Sequence, residues 1–542
     1  MSRRIRSAVM LAAAAGGLAV AAQAQAADFC VDRTGCDADK SFPGDLQAAL
    51  NAAAAFSGAD RVLIGPGTYA RPGGAGFAYT SASPVEIVGN PGEATVIATD
   101  PSLPQNDYAL RVFGGSHVVR DLDVFVGHVN RAGVFIGDTA VLRDVLVTAE
   151  VGVAGYGIGM GGTASLDRVQ VVQEGAPGAI GVSAFCSCTI ADSSIATEGT
   201  GVRFSGAPVT IDRTRVRALV GLSADGFGAT VRDSVIQPRG DGAVGVRARN
   251  FNAGNQAIEF ALRRVTIAGD GSANQTGVAA VADNGTESAS VDVEGSVITG
   301  VAVPVQREAS GGRPANVTLR WTNLPATGNV DQNTGGGTGA ITATDHVTNH
   351  QAVFVNPVQG DFTPQVGSPL IDAGDPAAVL TGVTGFGGAA RPLDGDGDGT
   401  AVVDLGAVEA PAVSVGPPAV TPPADPGPGT GTNANTPTVS APAAADTTPP
   451  RLRGGLVLRP SLRLRVSVAE AAKLTIRLQR RVGARWVNAG PVVRRTTTGR
   501  ALISVPLAVP RVRGTYRVVV NAVDGGGNTF LLRGVRVRLG AR

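Results

Sequence analysis

A short pattern of apolar and polar positions, apolar–x–polar–x–x–apolar, recurs along the chain. It runs through Val119 to Val124 (VRDLDV), Leu142 to Val147 (LRDVLV), Leu166 to Val171 (LDRVQV), Ile190 to Ile195 (IADSSI) and Ile211 to Val216 (IDRTRV). Val231 to Ile236 (VRDSVI) and Leu262 to Ile267 (LRRVTI) continue it, and Val293 to Ile298 and Leu319 to Leu324 are worn copies. Successive first residues lie 23, 24, 24, 21, 20, 31, 31 and 26 positions apart. Ahead of most hexads stands Gly followed by Val, Ile or Leu, as in Gly133-Val134, Gly157-Ile158, Gly181-Val182, Gly201-Val202, Gly221-Leu222, Gly245-Val246 and Gly277-Val278. Each copy predicts short strands whose alternate residues point inward, with Gly at the bends. One coil cannot bury its inward face alone. Stacked coils can, about 4.8 Å apart, with equivalent residues in apolar ladders. The expected fold is all-β, with about ten stacked coils. Leucine-rich and WD-type repeats have similar periods, but their Leu/Asn and Trp-Asp signatures are missing. Coils of variable length exclude the strict hexapeptides of a left-handed helix and indicate a right-handed parallel β-helix solenoid.

A solenoid has to cap its ends. Residues 45–57 predict an N-terminal cap, with Asp45 opening an Ala/Leu-rich amphipathic helix that ends near Phe56. Arg61 to Tyr69 (RVLIGPGTY) follows as first strand and turn. The pairing of an LQAAL helix with a PGTY turn resembles the opening of pectate-lyase-like β-helix proteins. Gly367 to Asp375 (GSPLIDAGD) and Arg391 to Glu409 (RPLDGDGDGTAVVDLGAVE) resemble a widespread bacterial β-helix terminus. These resemblances span most of residues 28–410 and imply fold and export. The families include enzymes, adhesins and surface proteins, so no single reaction is implied.

Residues 411–450 read as a linker, with 11 prolines among 40 residues. Residues 451–542 show period-two alternation, as in Leu462-Arg463-Leu464-Arg465-Val466-Ser467-Val468, and about seven strands, which predicts a β-sandwich. Gly514 to Asn528 (GTYRVVVNAVDGGGN) is similar to immunoglobulin-like or fibronectin-III-like modules of exported bacterial proteins. At the other end, Arg3, Arg4 and Arg6, the small-residue apolar run Ala8 to Ala22 and Ala24-Gln25-Ala26 predict a signal peptide over residues 1–26. The run is too short and too rich in Ala and Gly for a retained span. Arg3-Arg4 also leaves a twin-arginine route open. The protein is expected outside the cytoplasm, extracellular or at the cell surface.

Export makes the four cysteines informative. Cys30 and Cys36 are placed to pin the mature N-terminus with a disulfide. Cys186 and Cys188, one residue apart, are expected as core thiols, a disulfide being the other possibility.

The net charge of +2 conceals a split. Residues 451–542 hold 20 basic and two acidic side chains, and the remaining 450 residues hold 26 basic and 42 acidic ones. Arginines alternating along strands predict a cationic face for acidic wall polymers or lipid head groups, and export argues against nucleic acid. Arg enrichment from base composition explains the same bias.

Candidate chemistry is sparse. Asp394, Asp396 and Asp398 with Gly399 form a D-x-D-x-D-G calcium-loop start, joined by Asp404 and Glu409. The twelfth position of an EF-hand is Leu405, so the expectation is a structural calcium closing the final coil, or a hydrogen-bonded turn. Charged residues at the second and third hexad positions (Asp121, Asp144, Arg168, Asp192, Arg213, Asp233 and Arg264 at the third) stack into rows. Periodicity argues for an ion ladder over a glycosidase carboxylate pair. Lysine occurs only at Lys40 and Lys473, and the lyase and polygalacturonase signatures are absent. His346 and His350 stand four apart but without helical pattern or the Glu of H-E-x-x-H, and His117 and His128 have no readable partner. The chain therefore reads as an exported non-enzymatic surface or matrix protein. Its β-helix is expected to bind polysaccharide or another macromolecule, and its basic module to hold an anionic envelope polymer. A calcium-dependent polysaccharide lyase or glycoside hydrolase, and a plain spacer, are the alternatives.

Overall fold

The computed structural model describes residues 26–413, save short stretches in several turns (101–106, 129–131, 251–255 and 284–286 among them), and the strands between 452 and 539. The expected signal peptide, bar Ala26, the expected linker from 414 onward and the end of the Gly-rich turn after Asp524 lie outside the described residues.

The chain climbs as a right-handed parallel β-helix of about 11 turns. Three parallel sheets form its walls. The first has 13 strands, from Asp28–Val31 to Ile341–Ala343; the second has 10, from Gly67–Tyr69 to Val297–Thr299; the third has 11, from Phe77–Tyr79 to Val330–Asn333. Each hexad spans the corner between the first and second sheets. Its first residue (Val119, Leu142, Leu166, Ile190, Ile211, Val231, Leu262) and its sixth (Val124, Val147, Val171, Ile195, Val216, Ile236, Ile267) are buried in the common core.

The third hexad residue makes the corner. Asp121, Asp144, Arg168, Asp192, Arg213, Asp233 and Arg264 all have φ between 44° and 61°, the left-handed region, and Gly295 and Trp321 continue the column. Only a left-handed residue turns one strand sharply into the next, at about 1–2 kcal/mol for a residue with Cβ. Forked ion pairs join neighbouring corners. Arg168 reaches Asp144 (3.1 and 3.0 Å), Arg213 reaches Asp192 (2.9 and 2.8 Å) and Arg264 reaches Asp233 (2.9 and 3.0 Å). The charged rows are scaffold.

The glycines ahead of the hexads are not at bends. Gly133, Gly157, Gly181, Gly201, Gly221, Gly245 and Gly277 lie within strands of the third sheet. A Cβ at Gly157 would stand 2.5 Å from the Gly181 carbonyl oxygen and 2.8 Å from Val171 Cγ1. Close approach of the next coil's carbonyl and of the second sheet's side chains, and not backbone strain, fixes glycine here.

The two ends close differently. At the start, helix Leu46–Ala55 buries Leu46, Ala49, Leu50 and Ala53, with Asp45 accepting from the Ala48 amide. At the other end the inward column of the third sheet runs Ala248, Ala280, then Arg307, whose side chain is 1% exposed and pairs with Asp331 of the last coil. Polar groups plug the core there.

The segment resembling a β-helix terminus does not close that end. It folds back against the flank of the second sheet, where Phe354, Phe362, Leu370, Leu405 and Ala407 cluster with Val235, Ala268 and Val297. The Ala407 amide donates to Thr266 Oγ1 (2.9 Å), and the Gly406 amide to the Gly295 carbonyl (2.8 Å). The cause lies in the fifth hexad position, which faces outward. In earlier coils it is Asp123, Leu146, Gln170, Ser194 and Arg215, polar in all but one, whereas Val235 and Val297, with Ala268 between them, offer an apolar strip. Covering such a side chain stabilises by about 1.5–3 kcal/mol.

Cys30 and Cys36 are disulfide-bonded, with Cα atoms 5.8 Å apart. Cys186 and Cys188 are both buried, as expected, with their sulfur atoms side by side. The bend at Ser187 turns both side chains inward and sets their Cα atoms 5.2 Å apart, within disulfide reach.

In the C-terminal region the described strands form two antiparallel sheets. Leu452–Leu458, Leu462–Val468 and Ala501–Pro506 make the first. The second is centred on Ala471–Val482, which pairs with Arg485–Asn488, Val493–Thr498 and Gly514–Asp524, the last flanked by Thr529–Leu539. Leu474, Ile476, Val518 and Val520 are buried on one face of it. No helix among the described residues is long and apolar enough to cross a membrane.

Candidate functional site

The outer face of the third sheet departs most from the repeat. The residue after each Gly-apolar pair points outward, and strand register stacks these residues into one column. From the N-terminal side it reads Arg111, Phe135, Gly159, Ser183, Arg203, Ser223, Arg247. A second column carries Tyr108, Ala132, Tyr156, Ile180 and Thr200.

The upper coils hold aromatic rings. Tyr108 and Phe135 have centroids 5.4 Å apart, and Phe113 meets Phe135 edge-on at 6.1 Å. Glycine beneath them lets the rings lie against the sheet, since a Cβ at Gly159 would stand 2.5 Å from the Tyr108 hydroxyl and 2.9 Å from Phe135. Phe185, two coils on, is 52% exposed. Burial pushes the Tyr108 hydroxyl above its ordinary range, so it is a neutral donor.

Below the rings opens a cavity of about 480 Å³ lined by Ile180, Thr200, Arg203, Ser205, Ser223, Asp225 and Arg247. Arg203 Nε donates to Asp225 (2.5 Å) and Arg247 donates to Ser223 Oγ (3.0 Å). Burial, opposed by Asp225, lowers the Arg247 guanidinium from its usual range. Rings for stacking, hydroxyls for hydrogen bonds and guanidinium groups for carboxylate or sulfate are the elements of a glycan site. The cavity lining contains one carboxylate, Asp225, and it is ion-paired. The carboxylate couple of a glycosidase is missing from it.

The aspartate loop has a different arrangement from the one expected. Asp394 and Asp396 come together with Asp372, each able to offer an oxygen within 4.8 Å of the others, and Asp398 and Asp404 fall outside this group. Asp372 is the ligand-type residue missed by the motif, because it lies upstream in the IDAGD segment. The same carboxylates accept backbone amides: Asp394 from Gly397 (2.7 Å) and Gly399 (3.0 Å), Asp372 from Gly395, Asp396 and Val402. Asp398 accepts from Thr400 in an exposed turn (2.7 Å).

Asp404 belongs instead to a buried latch. Its carboxylate accepts from the Asp372 and Ala410 amides and is pushed up to about 6 by burial. Glu409, fully buried and raised to about 7 by desolvation, meets Arg391 at 2.8 Å, and Arg391 also reaches Asp233 of the solenoid at 3.2 Å. This cluster and Arg215, which donates to the Gly360 carbonyl and lies 5.1 Å from the Phe386 ring, hold the returning segment to the flank.

The histidines form no metal group among the described residues. His346 stacks on Trp321 at 4.1 Å, His350 bonds to Asn323 through its backbone, and His117 is buried edge-on to Tyr79.

No family model matches the chain. No curated protein matches it either. Among solved structures it is similar to the crystal structure of pectate lyase Pel9A, at 14% identity and a TM-score of 0.30, over 72% of this chain and 97% of that one.

Proposed function

We propose that this is an exported, non-catalytic glycan-binding protein whose ligand lies along the outer face of the third sheet. The observation that carries the reading is one outward face that holds Tyr108, Phe113 and Phe135 in packed contact and, from two coils further on, a cavity bordered by Arg203 and Arg247. The C-terminal module, read as a β-sandwich, is the tether to an anionic envelope polymer. Its 20 basic and two acidic side chains over residues 451–542 support this reading. A structural calcium at Asp372, Asp394 and Asp396 belongs to the same proposal, steadying the returning segment.

The test is gel-shift affinity electrophoresis against a panel of neutral and acidic polysaccharides. Retardation that Phe135→Ala and Arg247→Gln each weaken supports the site; unchanged retardation in both rejects it. A second reading is lyase chemistry, with Arg247, which bonds the Ser223 hydroxyl at the cavity wall, as the residue facing the substrate. Incubation with uronate polymers, followed by absorbance of unsaturated ends, distinguishes the two: any turnover lost in Arg247→Gln favours the lyase.

A further inference from the structure

The ring cluster of the third sheet has a shape as well as a composition. The outward column that holds Phe113 continues through Gly137, Gly161 and Phe185 to Ser205 and Asp225, since the amide of each donates to a carbonyl of the coil before it. The neighbouring column runs Phe135, Gly159, Ser183. Three glycines thus lie side by side, and the Phe135 ring covers them. A Cβ would stand 3.4 Å from its Cε1 at Gly137, 2.9 Å from its Cδ2 at Gly159 and 3.3 Å from its Cζ at Gly161. Contacts around three sides of one ring mean that it lies flat along the sheet, with its lower face on glycine. Gly137 and Gly159 are buried beneath it, whereas Phe135 itself keeps part of its surface exposed. Phe185, one coil past Gly161, is 52% exposed.

The charges that border this strip are already answered. Among the described residues, Arg111 pairs with Asp107 at one end and Arg203 with Asp225 at the other. A flat apolar platform without a free ion favours a flat, uncharged ligand, because a carboxylate laid on it would lose water and gain no partner. Pyranose rings supply such a face through their axial C–H groups. Equatorial linkages keep successive rings of a glycan in one ribbon, and axial linkages turn each ring away from the last. We infer that this face takes a neutral, equatorially linked glycan of the β-1,4-glucan or β-1,4-xylan kind, with one sugar stacked on Phe135 and another on Phe185. Beyond Phe185 the same column leads the chain to the cavity, where the Ser205 hydroxyl and Arg247 offer hydrogen bonds to sugar hydroxyls.

This inference rests on the glycan-binding reading above, and the experiment separates the two. Calorimetric titration of the full chain would use three hexasaccharides: β-1,4-linked glucose, α-1,4-linked glucose and α-1,4-linked galacturonate. The β-linked ligand should bind about tenfold tighter than either of the others, the scale of one added ring stack. Phe135→Ala and Phe185→Ala should each weaken it by about tenfold and bring the three ligands to within about threefold of one another, whereas Phe135→Trp should keep the preference. Equal or tighter binding of either α-linked ligand by the unaltered protein overturns the platform inference and leaves glycan binding standing. A preference that survives both alanine variants does the same. Absence of binding to all three overturns the inference, and absence across the polysaccharide panel overturns both. The exposed Phe185 keeps the test intact should Phe135→Ala fold poorly, which its melting profile would reveal.

Discussion

The corner column and the outer face of the third sheet use the same side chain, arginine, for opposite ends. At the corners each Arg is clasped by the Asp of a neighbouring coil, as Arg213 is by Asp192, and the pattern repeats coil after coil. On the third sheet the ladder is broken: Arg203 is still paired with Asp225 of the next coil, but Arg247 bonds the Ser223 hydroxyl in place of a carboxylate, and both border a cavity. Regular charge neutralised within the stack is scaffold, whereas irregular charge beside open space is a place for a ligand. The same contrast separates the two ends of the acidic terminal segment. Asp404 and Glu409 are buried with Arg391 in the latch, whereas Asp396 and Asp398 sit in an exposed turn.

The largest effect on the scaffold side is expected at the latch. Arg391→Ala leaves Asp233 and Glu409 buried beside one cation fewer, which costs about 3–5 kcal/mol. Amide hydrogen exchange across residues 366–410 should accelerate steeply while the early coils stay protected. Uniform protection would show that the apolar strip alone holds the segment.

Acidity acts on the same contact. Glu409 has its folded value raised to about 7, above the ordinary carboxylate range, so the folded form holds a proton that the unfolded form has lost. Its contribution is complete at low pH and fades as pH climbs to about 7, at about 1.4 kcal/mol per pH unit through the window. The segment's protection, measured relative to the exchange of a free amide at the same pH, should be higher at pH 5 than at pH 8, and Glu409→Gln should reduce the difference, leaving the smaller part that Asp404 carries. A Glu409→Gln profile as steep as that of the unaltered protein would assign the dependence elsewhere.

A step down in size, Gly157→Ala forces a methyl against the Gly181 carbonyl and Val171, for a loss of about 1–3 kcal/mol measured by calorimetric unfolding. Smallest is the corner itself. Arg213→Gly gives up a partly exposed fork and also relieves a left-handed residue with Cβ, so the balance should lie within about 1 kcal/mol of zero. Arg213→Ala loses the fork without that relief and should be the less stable of the two. The reverse order would mean that relief of the left-handed backbone does not govern the corner.

The coils were legible in sequence because burial alternates along each short strand and the corner residue falls at the same place in every hexad. The N-terminal helix was legible from Asp45 and the small apolar stripe Leu46, Ala49, Leu50, Ala53. The third-sheet face was not read, because Tyr108, Phe135, Arg203 and Arg247 are separated by as many as six coils and meet only through register. Its signal was present all the same. Aligning the Gly-apolar pairs stacks the following residues, Phe135, Gly159, Ser183, Arg203, Ser223 and Arg247, in one line. The folding back of residues 354–410 was likewise encoded in Val235 and Val297 at a position that is polar in most earlier coils. It was missed because a terminal motif suggests an end, and an apolar residue in a hexad suggests the core. Asp372 escaped for a simpler reason: the calcium-loop spacing looks only forward from Asp394.

The most direct measurement is a glycan titration of the unaltered chain beside two variants, Phe135→Ala with Arg247→Gln on the third sheet and Arg168→Gln with Arg213→Gln at the corners. The account predicts that the first pair loses binding by tenfold or more, about 1.4 kcal/mol, with its melting profile intact, and that the corner pair binds as before. Loss of binding in the corner pair, with the third-sheet pair unaffected, would contradict it.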